Sequence, residues 1–136
     1  MELIRLSIDS GFCVLICLVQ VIIYPSFLYT DKEKFNFWHS LYGQRINYFI
    51  APLLFMQTGL IAYQLLFDSL YFLFDAMFLS IIWINTFFVA IPIHKAIGHD
   101  QNRASNILKL IKVNRWRTFA WTALWLLSVW RVWGNW

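Results

Sequence analysis

Six polar side chains stand at the edges of apolar runs in this chain, where groups able to do acid–base or ligand chemistry are expensive to keep. The stretch FWHSLYGQRINYFIAP (37–52) sets His39, Tyr42 and Arg45 before one run, His94 closes another in AIPIHKAIG (90–98), and Asn114 and Arg117 open a third in KVNRWRTFAWT (112–122). An imidazole works as general acid or base near neutral pH and, when neutral, ligates a haem iron or a transition metal. Guanidinium and carboxamide groups orient substrate oxygens. These residue types make His39, His94 and Arg117 candidate catalytic residues, and Tyr42, Arg45, Asn114 and Trp121 candidate substrate-binding residues. Haem or a single metal is the candidate cofactor of the histidine pair, with Tyr42 or water completing a metal's shell and Trp121 or Trp125 stacked beside a haem. Taken singly, Arg45, Lys95 and Arg117 also suit plain anchoring, because long cationic side chains snorkel to headgroups. His99 falls in a polar loop and is set aside.

The elements that must carry these residues are membrane helices. A chain of 136 residues has room for one domain, 1–136, and 60% hydrophobic residues with only 13% charged is far from the composition of a soluble globule. Apolar stretches of spanning length lie at about 8–30, 45–67, 70–94 and 116–134. They predict an all-α, up-down four-helix bundle, with a hairpin of spans two and three turning at DSLYFLFD (68–75), where Asp68 and Asp75 would hold the outer interface. In the connection to span four, Gly98 and Asp100 offer a helix stop and a new N-cap. An amphipathic helix over about 101–113 follows, with Ala104, Ile107, Leu108 and Ile111 on one face and Ser105, Lys109 and Lys112 on the other. Trp116 marks the inner boundary of span four, and Trp130, Trp133 and Trp136 the outer one.

Orientation follows from the basic residues. Lys32, Lys34, Arg45, Lys95, Arg103, Lys109, Lys112, Arg115 and Arg117 fall in or beside loops one and three, against Arg5 and Arg131 on the opposite side. The expectation is a cytoplasmic (inner) membrane protein with both termini outside and those two loops cytoplasmic. The first apolar run is too long for a signal peptide and is expected to be retained. A net charge of +4 then reflects topology and attraction to anionic lipid at the basic helix, and no nucleic-acid-reading module is present.

Helical spacing assigns one inward face to each span: Cys13, Cys17, Gln20 and Tyr24 in the first; Arg45, Tyr48, Pro52, Met56, Gly59 and Tyr63 in the second, Gly59 allowing close approach of a neighbour; Ser80, Trp83, Phe87, Ile91 and His94 in the third; Asn114, Arg117, Trp121, Trp125 and Ser128 in the fourth. The cysteines read as packing residues. Pro25, Pro52 and Pro92 fall in the cytoplasmic halves and free the carbonyls of Val21, Tyr48 and Phe88. With no acidic residue in the apolar parts of spans one, two and four, and Asp75 at an interface, a proton-driven transporter is disfavoured.

Over YPSF (24–27), FWHSLYGQRI (37–46), AIPIHKAIG (90–98) and KVNRWRTFAWT (112–122), the chain resembles small bacterial four-span membrane proteins and, more distantly, the anthrone-oxygenase-like family. In that family an Asn and an Arg three residues apart open the last span, as Asn114 and Arg117 do here, and a polar motif ends span three, here Pro92 to His94. The resemblance implies the four-span architecture. Two readings of function follow. One is an oxygenase-like or redox enzyme with a pocket at the cytoplasmic side, acting on a small lipophilic, quinone-like or aromatic substrate. The other is a non-catalytic helper whose basic face docks a membrane protein, a second copy in a homo-oligomer, or anionic lipid.

Overall fold

The computed structural model of the chain describes residues 1–99 and 102–134, with the side chain of Lys32 outside the description. The predicted N-cap Asp100 and the interfacial Trp136 lie outside the described residues. Among those described there is no strand, and four long helices account for nearly everything: α1 (Glu2–Ser26), α2 (Glu33–Asp68), α3 (Leu70–Gly98) and α4 (Arg103–Trp133). The first three are long and apolar enough to cross a membrane.

Local sequence explains the breaks. Ser69 is extended and its hydroxyl accepts from the Tyr71 amide at 3.1 Å, ending α2 and capping α3 in one residue. Asn102 adopts the left-handed conformation that asparagine tolerates, and α4 starts on the next residue. Pro25 and Pro92 have no N–H to give and crowd the carbonyl four residues back. Each is preceded by a wider π-helical turn, Val19–Ile23 and Thr86–Ala90, that absorbs the conflict without breaking the rod. Pro52 sits inside α2 without such a turn.

The predicted amphipathic segment and the apolar stretch after it form one helix, α4. Its buried residues there are Ile107 and Leu110, packed with Phe27, Phe35, Ile93 and Ile97, whereas Ala104 and Leu108 are exposed. A protein groove has taken that apolar face.

The buried face of α2 differs from the one predicted, and those of α1 and α3 differ in part, since Gln20 and Tyr24 on α1 and Trp83 and His94 on α3 do turn inward. Every member of the stripe Arg45, Tyr48, Pro52, Met56, Gly59 and Tyr63 is exposed, and α2 instead buries Leu54, Gln57, Ile61 and Gln64. No helix approaches Gly59: a Cβ there would meet nothing within 4 Å. Cys17 is exposed and Cys13 half-buried, while α1 packs through Ile8, Phe12, Ile16 and Val19. α3 packs through Leu79, Ile82, Ala90 and Ile93, leaving Ser80, Phe87 and Ile91 exposed. Outward aromatics cost nothing against lipid, so the periodicity of polar or large residues is a poor guide to the inside.

The largest departure is at the end of the bundle where α2 meets α3. Arg5, Asp9 and Asp75 are fully buried and Arg131 is 6% exposed. Asp75 is therefore buried against protein, the Arg131 guanidinium turns inward onto it, and Asp9 puts a carboxylate on the buried face of α1. Arg131 forks onto Asp75, its Nη1 donating to Oδ1 at 2.9 Å and its Nη2 to Oδ2. Arg5 donates to Asp75 Oδ1 and, at 2.9 Å, to Gln64 Oε1, and its Nε lies 3.5 Å from Asp9. Gln57 and Ser128 donate to the two Asp9 oxygens. All four helices meet in this one network.

Removing one member strands its buried partner, which costs about 3–5 kcal/mol. Arg131→Ala should therefore destabilise the detergent-solubilised protein by about that much, whereas exposed Arg45→Ala should stay within about 0.5 kcal/mol of the parent. Denaturant titration followed by circular dichroism measures both.

Candidate functional site

The other half of the bundle opens. α2 packs less closely on its neighbours than α1 and α4 do on each other, and between α2 and the other helices lies a cavity of about 630 Å³. The wide turns before Pro25 and Pro92 lie in the two helices that carry its polar wall, one ending at Tyr24 and the other four residues before His94.

The wall holds a continuous hydrogen-bonded chain. His39 Nε2 lies 3.0 Å from His94 Nδ1, and His94 Nε2 lies 3.0 Å from the Tyr24 hydroxyl. Three helices contribute one member each. Aromatic packing fixes their orientations: His39 stacks on Phe35 at 5.4 Å and meets the edge of Phe27 at 5.5 Å, and Tyr24 meets His94 edge-on at 5.4 Å. With His94 using both ring nitrogens, only one proton arrangement at a time satisfies the three groups, and gaining or losing a proton at one end shifts the donors along the line.

Of the predicted site residues, His39, Tyr42, His94, Arg117 and Trp121 line this cavity. Arg45 and Asn114 do not. Arg45 is exposed on the far face of α2. Asn114 is buried and donates to Gln20 Oε1 at 2.9 Å, tying α4 to α1. Tyr24, which completes the hydrogen-bonded chain, and Thr86 were missed as site residues. The signal for Tyr24 was its place directly before Pro25, and Thr86 opens the wide turn that precedes Pro92, where polar groups that a regular helix would satisfy are exposed.

Beyond the histidines the cavity turns apolar. Its inner end is closed by Phe12 and Trp121, stacked at 4.0 Å and 17°, with Leu54 and Ile82 beside them. That plug separates the cavity from the buried ion cluster. Arg117 and Lys95 line the cavity, while among the described residues no carboxylate does, and Arg117 Nε and Thr86 Oγ1 are buried there with no hydrogen-bond partner.

The donor set does not fit a haem held between both histidines. Ligating nitrogens on opposite faces of one iron lie roughly 4 Å apart, at about 2 Å each, whereas His39 Nε2 and His94 Nδ1 are 3.0 Å apart and His94 Nε2 faces the Tyr24 hydroxyl. Among the described residues no three His, Cys, Asp or Glu side chains converge as a ligand group.

Comparison of the chain with family models, curated proteins and solved structures yields no match.

The cavity wall itself is testable. Gly43 lines it, and a Cβ at that position would meet nothing within 4 Å. Since glycine inside a helix carries the larger unfolded-state entropy, Gly43→Ala should raise stability by about 0.4–1 kcal/mol, read as a higher denaturation midpoint.

Proposed function

We propose that this chain is a four-span integral membrane protein that binds a lipophilic molecule in the inter-helix cavity and exchanges protons with it through His39, His94 and Tyr24. The observation that carries the reading is the unbroken His39–His94–Tyr24 chain on the wall of a cavity that is polar at one end and apolar at the other. Support for a fourth span comes from register. Asn114, Trp121, Trp125 and Ser128 of α4 meet Gln20, Phe12, Ser10 and Asp9 of α1, partner numbers falling along α1 as they rise along α4. A helix antiparallel to a spanning helix over that length crosses with it. The cavity end carries Lys34, Lys95, Lys109, Lys112 and Arg115 exposed, and we assign it to the cytoplasmic side of the inner membrane.

The enzymatic form of this reading is oxygenase-like or redox chemistry on a phenol, quinol or related aromatic, with dioxygen as the oxidant that takes the substrate's electrons. His39 or His94 takes the hydroxyl proton, Tyr24 passes it on, and Arg117 faces the oxygen on which negative charge develops. The exposed cations at the same end favour a second reading, a helper subunit docked to anionic lipid or to another membrane protein.

Oxygen uptake by the detergent-purified protein, presented with a panel of lipophilic phenols and quinols, separates the two. The enzyme reading expects uptake with at least one substrate, reduced about 10²–10⁴-fold by His94→Ala or His39→Ala with helix content unchanged. Retention of such a compound without oxygen uptake by any of them would decide for the helper.

A further inference from the structure

The shape and charge of the cavity specify its occupant more closely than lipophilicity does. Tyr24 and Phe12 stand at its two ends on α1 and His94 and Ile82 on α3, twelve positions apart on each helix. At 1.5 Å of rise per residue, the cavity is about 18 Å deep. One leaflet of hydrocarbon is half of about 30 Å, so the depth matches a single lipid chain. A volume of about 630 Å³ drawn out over that length is a slot and not a chamber.

The mouth faces sideways. Ser40, Gln44 and Asn47 on α2, and Ile91, Lys95 and Gly98 on α3, are both exposed and part of the lining, and each trio falls on one helical face. Two helices thus form the rims of a lateral opening, through which a molecule already in the bilayer enters without crossing water. Glycines in the lining at 43 and 98, each with open space where a Cβ would be, keep the passage wide.

Charge identifies the head. Among the described residues, Arg117 and Lys95 face a lining without one Asp or Glu, and the buried Arg117 Nε has no hydrogen-bond partner. An anion supplies what those walls lack. Resting on the reading of the cavity as a ligand site, we infer that its occupant is a single-chain amphiphile with an anionic head, a carboxylate or phosphate monoester. The head sits among Arg117, His94 and Tyr24, and the chain runs inward to the Phe12–Trp121 plug.

The test uses palmitate brominated at the end of its chain, added to the purified protein in non-ionic detergent, with tryptophan fluorescence as readout. Bromine at the chain end reaches Trp121 only if the chain lies in the slot, so saturable quenching is expected, and Trp121→Phe should remove the quenched component. Palmitate and hexadecyl phosphate should compete, and which does so better tells carboxylate from phosphate; hexadecanol should not compete. Arg117→Gln should weaken binding about tenfold or more, the effect of losing a charged hydrogen bond. Gly43→Phe and, independently, Gly98→Phe should abolish it by filling the slot.

Equal competition by hexadecanol would overturn the anionic head. Displacement or quenching by anthracene carboxylate, sensitive to Gly43→Phe, with no effect of palmitate would overturn the single chain and leave the ligand site standing. Quenching indifferent to both glycine variants would overturn the slot and the ligand-site reading together.

Discussion

Four buried charges hold the rest of this structure in place. In a hydrocarbon solvent an apolar side chain gains little by leaving lipid for protein, so helix association depends on packing and polar contacts. Arg5, Asp9, Asp75 and Arg131 balance as two cations and two anions with almost no exposure. None can leave the network without stranding another. Because Asp75 accepts from both arginines and Asp9 from Gln57 and Ser128, sliding any one helix by a turn breaks bonds on the other three. The cluster fixes register as well as association, and Phe72 under both guanidiniums, at 5.7 and 4.5 Å, closes its outer side.

That anchoring explains how the opposite half stays open. α2 is held through Gln57 and Gln64 at the clustered end, which leaves its first turns free to diverge from α1 and α3 and make room for the slot. The second apolar cluster, of Phe27, Phe35, Ile97, Ile107 and Leu110, then stops the divergence at the far end. Prolines in α1 and α3 widen a turn on either side of the space so formed. The cavity is therefore a feature of the frame and does not depend on a mobile loop.

What the sequence made legible follows from which physical signals are unambiguous in a membrane chain. Length and apolarity located the long helices, and of the six polar residues expected around one pocket, His39, Tyr42, His94 and Arg117 line one cavity whereas Arg45 and Asn114 do not. The inward face of α2 was not legible and those of α1 and α3 were so only in part, because exposed Tyr48, Met56 and Phe87 are as comfortable against lipid as in a core. The ion cluster had a signal that went unread. Arg5 and Asp9 are one turn apart, and Gln57 and Gln64 are two turns apart within an apolar run, a spacing that only a polar partner inside the bundle explains. Counting Arg5 and Arg131 toward orientation alone hid that partner.

The two ends of the molecule differ in how their charges are matched, and this separates frame from site. At the clustered end the guanidiniums of Arg5 and Arg131 face Asp9 and Asp75 directly, and a neutral set of that kind has no electrostatic need of a ligand. At the cavity end Arg117 and Lys95 look into a space whose walls, among the described residues, carry no carboxylate. A fold that can satisfy buried arginines as completely as it does at one end had the means to do so at the other. Arg117, half-buried beside the histidine chain with the Tyr24 hydroxyl as a neutral neighbour, has no counter-charge among the described lining residues, and an anion bound there, as proposed, would supply it.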